Sequence, residues 1–260
     1  MPVIKGLEWT FDTVASDYER LRPGYTKEVY REIFDYVSIN RCSNVLEIGI
    51  GGGQATLPVL RTGCKLTAVE YGESFSALCR KKFSNFPNFS VITGKFEDTE
   101  LEAEKYSLIY SASAFHWIPE EVGYNKVYSL LRSGGVFARF ANHPFRDKGR
   151  PELSDEIQKL YAVYMNSAAP PKEYGAEDAE KTAGIAYKYG FQDIKYKLFY
   201  RTRSYSADDY TALLGTYSDH IALGEKIRTE FFSKIRDLII SYGGKITVYD
   251  TIDLQLARKP

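Results

Sequence analysis

Five short apolar runs, parted from one another by helix-patterned stretches or, after the third, by a polar loop, constrain this chain more than anything else in it. They are NVLEIG (44–49), KLTAVE (65–70), FSVIT (89–93), YSLIYSA (106–112) and VFARFA (136–141). A short apolar run of this kind suits a strand buried on both faces of a parallel sheet. Before the first run, Val29, Ile33, Phe34 and Val37 fall on one stripe of an amphipathic helix. Residues 54–62 can form a helix only if Pro58 lies in its first turn. A further helix begins near Ser74, with Phe75, Leu78, Cys79 and Phe83 inward, and another runs from Pro119 to about Leu131, where Ser133-Gly134-Gly135 ends it. Strand and helix in this alternation predict an α/β fold, an open parallel sheet with helices on both faces.

After Ala141 the rhythm changes. Residues 142–151 read as loop, and 152–165 and 176–189 as helices on either side of Pro170-Pro171. FQDIKYKLFYRTRSY (191–205) reads as a strand running into a polar segment, and Ala207–Leu214 as a short helix. A long helix follows, with Leu223, Ile227, Phe231, Ile235, Leu238 and Ile239 on one stripe. Gly243-Gly244 then turns the chain into a last strand whose Ile246, Val248, Ile252, Leu254 and Leu256 share one parity. Residues 142–190 and 204–222 are expected to be insertions that form a lid over the ligand edge of a single domain spanning 1–260.

The 34 basic and 34 acidic residues cancel, so no whole-chain field recruits nucleic acid, and none is expected as partner. No run of about 20 apolar residues exists for a membrane span. MPVIKGLEWTFD lacks the basic-then-apolar pattern of a signal peptide. Three cysteines without a CxxC pair give neither a disulfide framework nor a zinc site. These features predict a cytoplasmic protein with reduced thiols and no metal.

The chemistry concentrates in VLEIGIGGGQAT (45–56), a strand, a glycine-rich turn and a helix start. In an open α/β sheet this crevice, beyond the strand's carboxyl end, is where ligands bind. A dinucleotide fingerprint GxGxxG beginning at Gly49 would need glycine at 54, where the chain has Gln54. Instead Glu47 stands two residues before Gly49, with Gly51 and Gly53 beyond. A carboxylate there repels a pyrophosphate but suits the ammonium of an amino-acid moiety. Glu70 ends the second strand, where an acid can accept both hydroxyls of a ribose. A nucleoside joined to an amino acid without phosphate is S-adenosyl-L-methionine.

ExGxGxG (47–53), Glu70, GKFEDTEL (94–101), YSLIYSASAFHWI (106–118) and LLRSGGVFARF (130–140) stand in that order. In this the chain resembles class I S-adenosylmethionine-dependent methyltransferases, and within them the small-molecule group similar to trans-aconitate methyltransferase. The resemblance implies a Rossmann-like seven-stranded sheet of order 3-2-1-4-5-7-6 with its last strand antiparallel. It implies that Gly49 and Gly51 border the methionine portion and that Glu70 holds the ribose. By the same resemblance Tyr71 packs on adenine or sugar, the Phe96 backbone and Glu97 meet the adenine edge, and the backbone of Ser111 and Ala112 lines the sulfonium end.

Three groups are candidates at the acceptor. His116 follows the fourth strand and is the histidine best placed to act as base or orienter; His143, just past the fifth strand, and His220, in the expected lid, are weaker candidates. Tyr18 and Arg22, with Tyr25, lie in a segment that in relatives closes over cofactor and acceptor. Tyrosine can bond a cofactor carboxylate, and arginine offers a carboxylate a two-pronged fork. The activity implied is in-line methyl transfer to a small molecule, a carboxylate or an aromatic acceptor. A non-catalytic module that binds the cofactor is the alternative, and a nicotinamide-dependent oxidoreductase a more distant one.

Overall fold

The computed structural model describes residue 12, residues 14–167 and residues 171–260; the opening MPVIKGLEWTF and Pro170 of the Pro170-Pro171 break lie outside them. A single seven-stranded sheet has the order β3-β2-β1-β4-β5-β7-β6. Its strands are β1 (Asn44–Ile48), β2 (Lys65–Glu70), β3 (Phe89–Thr93), β4 (Tyr106–Ala112), β5 (Leu131–Phe145), β6 (Gln192–Ser206) and β7 (Lys245–Arg258). The first five are mutually parallel, and β7 runs antiparallel between β5 and β6.

The helices are α1 (Ala15–Leu21), α2 (Lys27–Tyr36), α3 (Thr56–Leu60), α4 (Glu73–Lys82), α5 (Glu120–Leu130), α6 (Pro151–Met165), α7 (Ala176–Gly184), α8 (Ala207–Leu214), α9 (Ser218–Ile221) and α10 (Glu225–Ser241). On one face of the sheet, α2 and the 50–64 segment bury Val29, Ile33, Val59 and Leu60 against Val45, Leu108 and Ile252. On the other, Tyr124, Val127 and Leu130 of α5 pack with Phe191 on Leu46, Ile109 and Phe137. A third apolar cluster joins α6, α8 and α10 through Leu153, Ile157, Leu214, Phe231, Ile235 and Ile239, and touches the sheet at Ile246, near the start of β7, and at Tyr205, near the end of β6. This helical layer stands beyond the strand ends.

Two expectations change. Residues 142–145, read as loop, continue β5, because Asn142, His143, Pro144 and Phe145 pair with Ile252, Thr251, Asp250 and Tyr249. His143 is therefore on a strand and not in a loop. Of the stretches expected to cover the ligand edge, α7 lies against β6 and β7, while α8 and the turn after it reach α1 and Arg22. Ile227, placed on the inward stripe of α10, is half exposed because the stripe turns inward only from Phe231.

Candidate active site at the carboxyl edge

The glycine loop is shaped by its backbone. Gly49 and Gly51 adopt φ of 71° and 50°, a region that side chains disfavour. A Cβ on Gly49 would stand 2.4 Å from that of Ala114, so the loop can lie this close to the end of β4 only without one. Glu70, 8% exposed, holds the loop from the next strand. Its Oε2 accepts the Gly51 N–H at 2.8 Å and its Oε1 the Gly72 N–H at 2.9 Å. Burial pushes its pKa up, against the pull of these two N–H bonds, and Asp12 adds to the rise. Each oxygen keeps further acceptor capacity for a ribose hydroxyl.

Glu47 lies beneath the loop, 1% exposed. Its Oε2 accepts the hydroxyls of Thr56 (2.8 Å) and Tyr110 (2.7 Å), tying β1 to β4 and to the first residue of α3. Its Oε1 is buried with no partner. Burial raises its pKa to about 8, only partly offset by the two hydroxyls. The carboxyl group expected at an ammonium is thus half committed to the fold, and the orphaned oxygen is the half that can meet a cation. An orphaned carboxyl oxygen under the loop and a ribose-type acid beside it are acceptors of the kind that the ammonium and the ribose hydroxyls of S-adenosylmethionine call for. The residues fit that cofactor.

The remaining cofactor candidates divide. Tyr71 is exposed, with Lys95 Nζ 5.6 Å from its ring centre. Phe96, a candidate at the adenine, has its ring in the core, because the turn after β3 folds it under Leu101 and Val69; its backbone alone can face a ligand. Glu97 is half-buried, and its carbonyl accepts Lys126 Nζ at 3.0 Å. Ser111 is fully buried and donates to Ile48 O at 2.9 Å, a strand-to-strand tie, while Ala112 sits half-buried at the end of β4. Gly53 packs on Phe83 and Cys79.

Helix α1 lies across the loop. Tyr18 Cε1 comes within 3.6 Å of where a Gly51 Cβ would be, and Gln54 Nε2 donates to Tyr18 O at 3.3 Å. Burial raises the Tyr18 pKa, with Arg22 opposing. Arg22, expected to clamp an acceptor carboxylate, spends part of its fork within the protein: Nε donates to Thr216 Oγ1 (2.9 Å) and Nη2 to Thr216 O (2.8 Å). Its guanidinium stacks 3.9 Å from the Tyr217 ring centre and 4.9 Å from that of Tyr18. The N-terminal helix is thereby tied to the turn between α8 and α9.

At the end of β4, Ser113 has φ 55°, a strained position of the kind that gathers at functional sites. Its hydroxyl meets Tyr25 Oη at 2.7 Å and accepts Asn142 N at 3.3 Å. His116 lies on a single 3₁₀ turn, Phe115–Trp117. Its ring reaches solvent, yet desolvation at this crowded edge, and then Arg139, lower its pKa below the ordinary histidine range.

Several residues that the sequence reading passed over converge here. Asp253 of β7, buried, takes Ala141 N (3.1 Å) and His143 Nε2 (2.8 Å) on Oδ1, and Tyr174 Oη (3.3 Å) and Gln255 Nε2 on Oδ2. The His143 ring stacks on Tyr174 at 3.7 Å. With its Nε2–H on the carboxylate, His143 keeps the lone pair on Nδ1. Asp250, also buried, accepts both Arg201 and Arg203. His220, by contrast, is fully buried, bonded to Asp219 (2.8 Å) and Tyr161 (2.9 Å) in the helical layer. The available signal was two acids, Asp250 and Asp253, inside the apolar last strand ITVYDTIDLQLA. Among the described residues no group of three or more His, Cys, Asp or Glu side chains could hold a metal ion, and no helix is long and apolar enough to cross a membrane.

Comparison with known proteins points to a methyltransferase domain. A protein family described as a methyltransferase domain matches residues 45–135. An uncharacterized methyltransferase of Schizosaccharomyces pombe is 28% identical over 235 residues, 88% of this chain and 87% of that one. A structure from Anaeromyxobacter dehalogenans, assigned as a type II methyltransferase, shares the fold with a TM-score of 0.66 at 21% identity, over 91% of this chain and 97% of its own. Haemonchus contortus phosphoethanolamine N-methyltransferase 2, solved with phosphomonomethylethanolamine and S-adenosylhomocysteine, gives 0.56 at 14% identity, over 100% of this chain and 61% of its own.

Proposed function

We propose, for a chain that is a class I S-adenosylmethionine-dependent methyltransferase, that its acceptor is a small molecule bearing a carboxylate or an aromatic ring. One observation carries this reading: α1 and the turn between α8 and α9 meet across the edge through the Arg22–Thr216 bonds. An edge bridged in this way restricts access by a large polymer, and a balanced charge of 34 against 34 gives a nucleic acid nothing to follow. The sequence resemblance to the group similar to trans-aconitate methyltransferase puts aliphatic carboxylates first among probes.

When bound, the cofactor supplies a methyl group activated by a sulfonium. Glu70 and the backbone of the glycine loop would hold its nucleoside, and Glu47 would offer its ammonium the carboxyl oxygen left without a partner. Ser113, Tyr25 and Asn142 frame the acceptor at the ends of β4 and β5. The bridged edge aligns the two reactants and keeps water away, which is most of what an in-line displacement asks of a protein. A carboxylate acceptor needs no base. For a hydroxyl acceptor His143 is the base, its Nδ1 open and its ring fixed by Asp253 and Tyr174. His116, held neutral, orients.

The test is methyl-labelled S-adenosylmethionine incubated with the protein and a cell extract split by size. Label in the small-molecule fraction supports the proposal; label only in protein or nucleic acid overturns it.

A further inference from the structure

Past the end of β4, the last residues of β5 lie beside β7 and β7 beside β6, and the side chains of the three strands fall into rows. Residues opposite one another in an antiparallel pair share a face, as do residues two apart along a strand. His143, Thr251 and Tyr200 make one row across β5, β7 and β6, and Phe145, Tyr249 and Thr202 make the next on the same face. A cavity of about 390 Å³ is lined by Thr251 and Tyr200 of the first row, by Tyr249 and Thr202 of the second, and by Lys148 and Glu173 from the flanking loops. That volume is within the range of small-molecule sites.

The lining is rich in hydroxyls and balanced in charge. Thr251 is 2% exposed, and its hydroxyl has no hydrogen-bond partner among the described residues; neither have those of Tyr200, Thr202 and Tyr249. Four hydroxyls, each both donor and acceptor, thus border one space with nothing in the protein to bond. Tyr200 is 71% exposed and makes no ring contact among the described residues, so a flat aromatic face stands free at the rim. Lys148 Nζ lies 5.5 Å from the ring centres of both Phe145 and Tyr249 and donates to Glu173 Oε1 at 2.6 Å. Arg201 and Asp250, which complete the lining, pair at 3.0 Å. Each cation of the wall has its anion, so the cavity selects neither an acid nor an amine.

We propose that this cavity binds a neutral polyhydroxylated ring, a monosaccharide unit. A pyranose carries neighbouring hydroxyls that both donate and accept, which matches the unpartnered hydroxyls of Thr202, Tyr249 and Thr251. The Lys148–Glu173 pair adds a charged donor and a charged acceptor side by side. The apolar C–H face of the sugar meets the open ring of Tyr200. A neutral ligand also leaves both ion pairs of the wall intact, where an added charge would go unpaired. His143 begins the first row, and Glu173 precedes Tyr174, whose ring stacks on His143 at 3.7 Å, so the cavity adjoins the end of β5. The assignment goes beyond the proposed function and is independent of which atom is methylated.

The test is saturation-transfer NMR on the full chain with the methyl glycosides of glucose, galactose and mannose, and with cyclohexanol and phenol, which keep a ring and lose the neighbouring hydroxyls. At least one glycoside is expected to bind with a Kd of about 1–10 mM, and cyclohexanol and phenol at least about tenfold more weakly. Tyr200→Ala removes a ring that stands in solvent, and Thr251→Val exchanges a hydroxyl for a methyl group. Each should weaken that glycoside about tenfold and leave the melting temperature within about 3 °C. If Thr251→Val does not fold, Tyr200→Ala decides. No glycoside bound at about 50 mM, cyclohexanol or phenol bound as well as the glycosides, or a glycoside bound to Tyr200→Ala as tightly as to the unmodified protein would each overturn the proposal. None of these measurements uses S-adenosylmethionine or an acceptor, so methyl label found only in protein or nucleic acid would strike the proposed function and leave this site standing.

Discussion

The carboxyl edge of the sheet has two halves, and they are built differently. From β3 to β1 the site is backbone and one acid: a loop of glycines at positive φ, held by Glu70 from the neighbouring strand. From β4 to β6 it is side chains from α1, β4, β5, β6, β7 and the turn after α8, brought together over distances of up to 194 residues in sequence. The first half must meet a constant ligand and can be set by local geometry. The second must fit one acceptor and depends on how distant elements pack.

The sharpest way to break the first half is Gly49→Ala. Its Cβ would enter the space of Ala114 at 2.4 Å with φ at 71°, and overpacking together with left-handed strain should cost roughly 2–5 kcal/mol, read as a lower midpoint in urea unfolding. Glu70→Ala leaves the fold but removes the acid: S-adenosylhomocysteine should bind about 100-fold more weakly, about 2.8 kcal/mol, in calorimetry. A loss under about threefold would mean that Glu70 supports the loop and no ribose.

The second half should respond the other way, in turnover and not in cofactor affinity. If the acceptor atom is a hydroxyl, Asp253→Asn and His143→Asn should each lower kcat by about 10²-fold with S-adenosylhomocysteine binding unchanged. The corresponding change at the other histidine–carboxylate pair, Asp219→Asn, should alter the melting temperature and not kcat. Both pairs are 2.8 Å long, but His220 has both nitrogens engaged inside the helical layer, and only His143 presents an open one at the edge.

The smallest effect concerns pH. Glu47 has its folded pKa raised to about 8 from 4.5, so the fold favours its neutral form. The stability this contributes is full below about pH 4.5 and is lost as pH rises through about 8. Glu47→Gln should therefore gain on the unmodified protein between pH 5 and pH 9 by at least about 1 kcal/mol in chemical denaturation. A stability difference that is flat across this range would place the proton elsewhere.

The same division decides what could be read from the sequence. β1, β2, β3 and β4, the loop and Glu70 are contiguous signals, because a buried parallel strand and a glycine turn write themselves into six or twelve adjacent residues. The reach of β5 was not legible: NHPF carries a proline and reads as loop, and only its antiparallel pairing with 249–252 makes it strand. Asp253 could be seen as an odd acid in an apolar strand, but its partner His143 is 110 residues away, and strand register, which brings them together, leaves no mark on either segment alone. Arg22 was legible as a candidate and Thr216 was not, since a threonine that receives an arginine looks like any other.

The central claim is that one edge holds the cofactor at its glycine half, on Glu70, with its methyl group turned toward the ends of β4 and β5. A crystal structure of the chain with S-adenosylhomocysteine tests it most directly. The account predicts the ribose on Glu70 and the sulfur toward Ser113 at the end of β4. Cofactor bound away from Glu70, or with its sulfur turned away from Ser113, would contradict it.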